Sequence, residues 1–223
     1  MLLQVAGALL DTELAALRAL AAGARFIDGR ATAGAMLHEI KRNEQIAADD
    51  PAMPEITRIV LAALKRNTAF RDAICPNQLH GLMLARYRDG MSYGLHVDAP
   101  LMGEQHVFRS DVSLTLYLSA PEDYDGGELE LQAGAGTVRV KLAAGDLIAY
   151  GTGNLHQVRP VTRGERLVVV AWIQSFVRDE SVRAMLWELA QARDDVFSRE
   201  GASLTFERLN RVHANLLRRH AET

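Results

Sequence analysis

From about residue 79 to about residue 176, short strand-like runs are cut by glycine turns, and this stretch constrains the fold most. The clearest run is 111–118, where Val112, Leu114, Leu116 and Leu118 alternate with Ser113, Thr115 and Tyr117. A period of two is the signature of a strand with two different faces. Further runs lie at 81–87, 128–132, 137–142, 146–150, 155–159 and 166–175. The turn signals between them are Asp89-Gly90, Asp125-Gly126-Gly127, Gly134 to Gly136, Gly145-Asp146 and Arg163-Gly164. So many short strands at such close spacing predict a double-sheet barrel or jelly roll.

On either side the period changes to that of helices. Residues 1–10 read as a strand leading into a helix over 11–23, capped by Asp11, with Leu14, Leu17 and Leu20 on one side and Gly23 at its end. Residues 25–50 show no clear period; Gly29 and Gly34 punctuate them, and 44–50 read as exposed. A second helix over 54–66 carries an apolar face of Ile56, Ile59, Val60, Ala63 and Leu64. Beyond 177, Asp179 caps a helix to about 197 with Val182, Leu186, Leu189 and Val196 inward. Ser203 then caps a last helix bearing Phe206, Leu209, Val212 and Leu216. The expectation is a mainly β chain with flanking α: N-terminal helices in 1–77, the barrel core in 78–177, and a helical appendage in 178–223.

Composition narrows the function classes. The 223 residues are 48% hydrophobic and 24% charged, which is globular rather than disordered. The net charge of −3 gives no cationic signature, so neither nucleic acid nor an anionic membrane is an expected partner. No apolar run approaches the roughly 18 residues of a membrane span. Residues 1–10 lack the basic start of a signal peptide, and Asp11 and Glu13 follow at once. The single cysteine, Cys75 before Pro76, excludes an intrachain disulfide and reads as structural rather than nucleophilic. A cytoplasmic protein is expected.

The chemistry starts from His96-Val97-Asp98. In a strand, residues two apart face the same side, so an imidazole and a carboxylate would point together into the barrel. That is two thirds of a 2-His-1-carboxylate set, which leaves open positions on Fe(II). The pair alone is weak, and by itself it reads better as a surface His beside a turn Asp. A third ligand must come from a distant strand. His156 is placed for it, after the turn 151–154 and at the head of an alternating run. Ten residues on, Arg166 opens the apolar run 167–173. A cation leading into a buried strand needs an anion, and a planar guanidinium suits a carboxylate.

Together these residues resemble the 2-oxoglutarate oxygenase superfamily, and within it the prolyl 4-hydroxylase-like branch. That branch's Tyr-x-x-Gly-x-x-Tyr-x-x-His-x-Asp segment is matched by residues 87–98, with one residue fewer between Tyr87 and Gly90 than in some members. Residues 114–118 with the Gly126-Gly127-Glu128-Leu129 turn, and Gly145-Asp146-Leu147-Ile148, look like its following strands. The run Met91-Ser92-Tyr93-Gly94-Leu95-His96-Val97-Asp98, the length and the helical tail are similar to those of the bacterial PKHD-type hydroxylases, a family linked to iron uptake. The resemblance implies a double-stranded β-helix core of the jelly-roll or cupin-like kind. It implies a dioxygenase that hydroxylates a small-molecule or peptidyl substrate (amino-acid, peptidyl or siderophore-like) while decarboxylating 2-oxoglutarate to succinate. Fe(II), 2-oxoglutarate and dioxygen are the implied cofactors, with ascorbate as a candidate reductant. His96, Asp98 and His156 would hold iron, and Arg166 the distal carboxylate of 2-oxoglutarate. Tyr87 and Tyr117 match tyrosines of the cosubstrate pocket, although both also read as core aromatics, and Trp172 matches a pocket wall.

Other readings stay open on the residues alone. A nucleic-acid dealkylase shares the His-x-Asp and the distal His, but the run around His96 and the acidic balance speak against it. A non-catalytic cupin-like metal sensor would leave Arg166 without a carboxylate to serve. A zinc hydrolase can use an overlapping ligand set. His38, His80, His106, His213 and His220 read as surface or structural. Arg86, Arg88 and Arg109 read as a solvated face near the mouth, and Glu122, Asp123 and Asp125 as a polar turn. The last two helices could support a homo-oligomer.

Overall fold

A computed structural model describes residues 1–103, 106–133 and 136–222. The first strands are β1 (Leu2–Val5), β2 (Phe26–Asp28), β3 (Lys41–Arg42), β4 (Glu44–Ile46), β5 (Pro76–Tyr87) and β6 (Ser92–His96). Then come β7 (Leu101–Met102), β8 (Phe108–Arg109), β9 (Val112–Tyr117), β10 (Tyr124–Gly126) and β11 (Leu129–Ala133). The last are β12 (Gly136–Val140), β13 (Leu147–Gly151), β14 (His156–Val158), β15 (Val161–Gly164) and β16 (Arg166–Ser175). The helices are α1 (Asp11–Gly23), α2 (Met53–Arg66), α3 (Thr68–Ile74), α4 (Glu180–Glu200) and α5 (Leu204–His220).

Two antiparallel sheets face each other. The larger runs β1-β13-β9-β16-β5-β4-β2, and the smaller β12-β11-β14-β6-β3. This is a jelly-roll core with helices outside it. One apolar cluster joins the outer face of the large sheet (Val112, Leu114, Leu116, Val169, Ile173) to helix residues such as Leu17, Ile56, Val60 and Phe70. A second fills the space between the sheets, with Tyr87, Tyr117, Leu129, Leu131 and Val168. Both faces of the large sheet are therefore covered, and every residue of β9 is buried. The polar half of its alternation, Ser113, Thr115 and Tyr117, turns into the barrel and not to solvent. That inward polar face is the first sign of a site.

Glycines make the corners. Gly90, Gly126, Gly127, Gly145 and Gly164 all hold positive φ at the expected turns. The Gly134 to Gly136 turn lies partly outside the described residues. Both C-terminal helices start at the expected caps: Asp179 accepts from the Ser181 and Val182 N–H groups, and Ser203 from Phe206 N–H. They pack on each other and, through Val182, Leu186, Leu216 and Leu217, beside Cys75 and Val177.

Several expectations need correction. Asp11 is the first residue of α1 and not its cap; Glu13 reaches back to accept the Leu10 N–H. Asp98 lies just beyond the end of β6, so the His-x-Asp unit is a strand end and not a strand interior. In the last helix Val212 is exposed, and His213, Leu216 and Leu217 take the inner side. Residues 44–50 are not an exposed loop: Gln45, Ile46, Ala47 and Asp50 are buried, because β4 pairs with β5 and extends the large sheet. Such short strands carry too few residues to show a period. Arg86 and Arg88 both reach Glu44, and Arg109 pairs with Asp111 and Glu222, so these cations are tied up in ion pairs.

Candidate metal centre

Two strands of the small sheet bring the histidines together. His96 ends β6, His156 begins β14, and the two are direct cross-strand partners. Their ring centroids are 4.2 Å apart. Asp98, just past the strand end, turns back so that its two oxygens lie 3.6 Å from His96 Nε2 and 3.6 Å from His156 Nε2. The three donor atoms fall within 4.8 Å of one another, and this is the single such group among the described residues.

Each imidazole is fixed in the same way. His96 Nδ1 is 2.7 Å from the Gly94 carbonyl and His156 Nδ1 is 2.9 Å from the Asn154 carbonyl. A carbonyl can only accept, so each Nδ1 donates a proton and Nε2 is the nitrogen turned to the shared space. Tyr93 stacks on His96 at 3.7 Å, and Tyr150 meets His156 edge-on at 5.2 Å. Burial keeps the His156 pKa below the ordinary value, which favours the neutral ligand form. Burial pushes the Asp98 carboxyl upward, but His96, His156 and the Ser113 hydroxyl outweigh it and hold its pKa below the ordinary value. Ser113 Oγ donates to Asp98 Oδ2 at 2.7 Å and lies 3.2 Å from Thr152 Oγ1. Two imidazoles and one carboxylate, oriented and largely buried, fit a divalent iron with positions left open.

Arg166 lies in the same barrel. It is 1% exposed, yet no carboxylate of the described residues lies within ion-pair reach. Its Nε has no hydrogen-bond partner. The guanidinium carbon stands 5.2 Å from the Tyr87 ring and 5.4 Å from the Tyr117 ring. Gly127 makes room for it, since a Cβ there would come within 3.1 Å of Arg166 Cδ. A buried guanidinium with no anion is costly, and this one opens on the cavity that holds the three-ligand cluster. Tyr87 lines that cavity, whereas Tyr117 lies deeper and its hydroxyl is 3.4 Å from the Val140 carbonyl. Trp172 lines the cavity too, with its indole N–H buried and without a partner.

The cavity measures about 1280 Å³. Its walls include residues that the aperiodic 25–50 segment concealed, Lys41, Asn43 and Gln45 among them. His80 also lines it but is engaged with Gln78 and stacked on Phe108. Cys75 takes no part: burial pushes its thiol up to about 11, away from the reactive thiolate.

Comparison with known proteins accords with this geometry. Residues 82–174 match the family model of the 2OG-Fe(II) oxygenase superfamily. A PKHD-type hydroxylase of Synechococcus sp. (strain JA-2-3B'a(2-13)) is 43% identical over 100% of both chains. One of Acaryochloris marina is 44% identical, again over 100% of both. A Trichoplax adhaerens prolyl hydroxylase, solved with a peptide fragment of hypoxia inducible factor, shares the fold with a TM-score of 0.56 at 18% identity. The match covers 82% of this chain and 86% of that one. Fold, family model and donor set define an oxygenase that depends on Fe(II) and 2-oxoglutarate. Within that class, the chain belongs to the PKHD-type hydroxylases. No helix of the described residues is long and apolar enough to cross a membrane.

Proposed function

We propose that the enzyme hydroxylates a C–H bond of an amino-acid, peptidyl or siderophore-like substrate, consuming dioxygen and converting 2-oxoglutarate to succinate and carbon dioxide. In this reading His96, Asp98 and His156 hold Fe(II), and Arg166 pairs with the distal carboxylate of 2-oxoglutarate while Tyr87 flanks it. The bound metal supplies the oxidising chemistry. The chain's own residues bind, orient and exclude water. The Gly94 and Asn154 carbonyls aim the two imidazoles, and Ser113 holds the carboxylate. Arg166, buried on the cavity wall, would set how far a diacid can enter.

The observation that carries this reading is the pairing of two incomplete features in one cavity: three converging metal donors, and a buried guanidinium without an anion. A five-carbon 2-oxo diacid would complete both. The test is succinate release from 2-oxoglutarate in air, with iron and after chelation. Removing one partner of a buried ion pair costs about 3 kcal/mol or more, so Arg166→Ala should lower turnover at limiting 2-oxoglutarate by about a hundredfold. Unchanged turnover in Arg166→Ala would refute the assignment. Iron binding with no succinate under any condition would favour a metal sensor instead.

A further inference from the structure

The cavity holds a second buried cation that neither the metal centre nor Arg166 employs. Lys41, Asn43 and Gln45 are spaced two apart through β3 and β4, and they are only 5%, 5% and 3% exposed. Arg42 and Glu44, between them, face outward. Along this edge the inward row is itself polar or charged, whereas a strand that merely fills a core turns apolar side chains inward. All three inward side chains line the cavity.

Lys41 donates to Thr32 Oγ1 at 3.1 Å, and Thr32 donates onward to Gln45 Oε1 at 2.9 Å. Among the described residues no carboxylate lies within ion-pair reach of Lys41. Its ammonium stands 5.5 Å over the Tyr93 ring, and that ring stacks on His96. The cation is thus one aromatic ring away from a proposed metal ligand. The acids nearby are already engaged. Asp28 pairs with Arg30, Asp49 pairs with Arg25, and Asp50 accepts the Arg25 and Ala52 N–H groups. Asn43 Oδ1 is buried without a partner.

Charge balance decides what Lys41 is for. With Fe(II) and 2-oxoglutarate in place, the metal and Arg166 together offset Asp98 and the two carboxylates of the diacid. Lys41 is then a buried ammonium with no carboxylate in contact, since Asp50 on the same wall is bound by two backbone N–H groups, and an isolated buried ammonium is strongly disfavoured. An apolar stretch of the wall is formed by Leu37, Ile46, Met53, Leu61, Leu79 and Leu82. The volume of about 1280 Å³ far exceeds what a five-carbon diacid fills.

We propose that Lys41, braced by Thr32 and Gln45, binds a carboxylate carried by the substrate that is hydroxylated. The substrate is then an apolar body bearing one carboxylate, either a terminal carboxylate or an acidic side chain. This inference rests on the proposed function, because the charge balance assumes iron and 2-oxoglutarate in the assigned places.

The test uses the full chain loaded with Mn(II) and 2-oxoglutarate, so that proton relaxation reports ligands near the metal. One probe pair is N-acetyl-leucine and N-acetyl-leucinamide, for a terminal carboxylate. The other is N-acetyl-glutamate α-amide and N-acetyl-glutaminamide, for a side-chain carboxylate. In at least one pair the acid should bind about tenfold more tightly than its amide. The pair that shows the preference identifies the source of the carboxylate. Lys41→Met and Lys41→Gln should abolish the preference, and Lys41→Arg should retain it. Calorimetry should find 2-oxoglutarate affinity within about twofold of wild type in all three variants. Absence of an acid preference in the wild-type protein, or its survival in both Lys41→Met and Lys41→Gln, would overturn the proposal. So would loss of 2-oxoglutarate binding in those variants, which would give Lys41 to the cosubstrate. Failure of the wild-type protein to bind 2-oxoglutarate would instead remove the reading beneath it.

Discussion

Ser113 shows how much of this site depends on residues that touch no ligand. Its hydroxyl donates to the Asp98 oxygen nearest His156, and its neighbours on β9 are fully packed. Ser113→Ala should leave the fold intact while lowering metal affinity by about tenfold to a hundredfold, read by metal titration of the apoprotein. Wild-type affinity in this variant would mean that the side chain is mere packing. The residues that the structure gathers in one cavity were legible at this scale. His96, Asp98, His156 and Arg166 stand out because a carboxylate, two imidazoles and a guanidinium at those intervals make chemical sense together. Ser113 was not legible, since a serine in an alternating strand reads as a solvent-facing residue. Nor were Lys41, Asn43 and Gln45. Their strands have only two and three residues, too few for a period to show.

At the scale of elements, the strand pairings do the positioning. The His96–His156 register makes two residues sixty positions apart into neighbours. Opposite β16, strand β5 carries an irregularity where the register passes from Val170 to Trp172. Gly81 lies at that point with φ of 61°, and a Cβ there would come within 2.7 Å of the Trp172 ring. The bulge therefore makes room for the cavity's indole wall. Gly81→Ala should cost about 2 kcal/mol in denaturant unfolding, from left-handed strain plus overpacking. A neutral result would mean that the strand relaxes without disturbing Trp172. The length of β16 could be read from its apolar run, and its bounds coincide with the expected 166–175. The bulge could not, because one glycine in a strand does not say which partner needs the space.

At the scale of the whole molecule, two layers answer to different parts of the chain. Helices α1, α2 and α3 cover the outer face of the large sheet, and the small sheet closes over the inner face and carries the metal donors. Ion pairs and capped turns hold the periphery. Hydrogen bonding from Arg66 lowers the Glu13 pKa below 4.5. The Ala52 and Arg25 N–H groups lower the Asp50 pKa below 3.8. A carboxyl whose folded pKa is depressed adds stability above its unfolded value and loses it as pH falls toward the folded one. The share of the unfolding free energy that these two carboxylates supply should therefore be lost as pH drops below their unfolded values of 4.5 and 3.8, after the earlier loss that the desolvated, pKa-lowered His80, His156 and His213 cause below 6.5. Asp50→Asn should make that acid limb shallower in urea melts at stepped pH. An acid limb as steep as wild type in Asp50→Asn would remove Asp50 from the cause.

The most direct measurement is an anaerobic crystal structure with Mn(II) in place of iron and 2-oxoglutarate added. It should show the ion ligated by His96 Nε2, Asp98 and His156 Nε2, with the far carboxylate of 2-oxoglutarate on Arg166. An ion bound elsewhere, or a diacid whose far end lies away from Arg166, would contradict the proposed site.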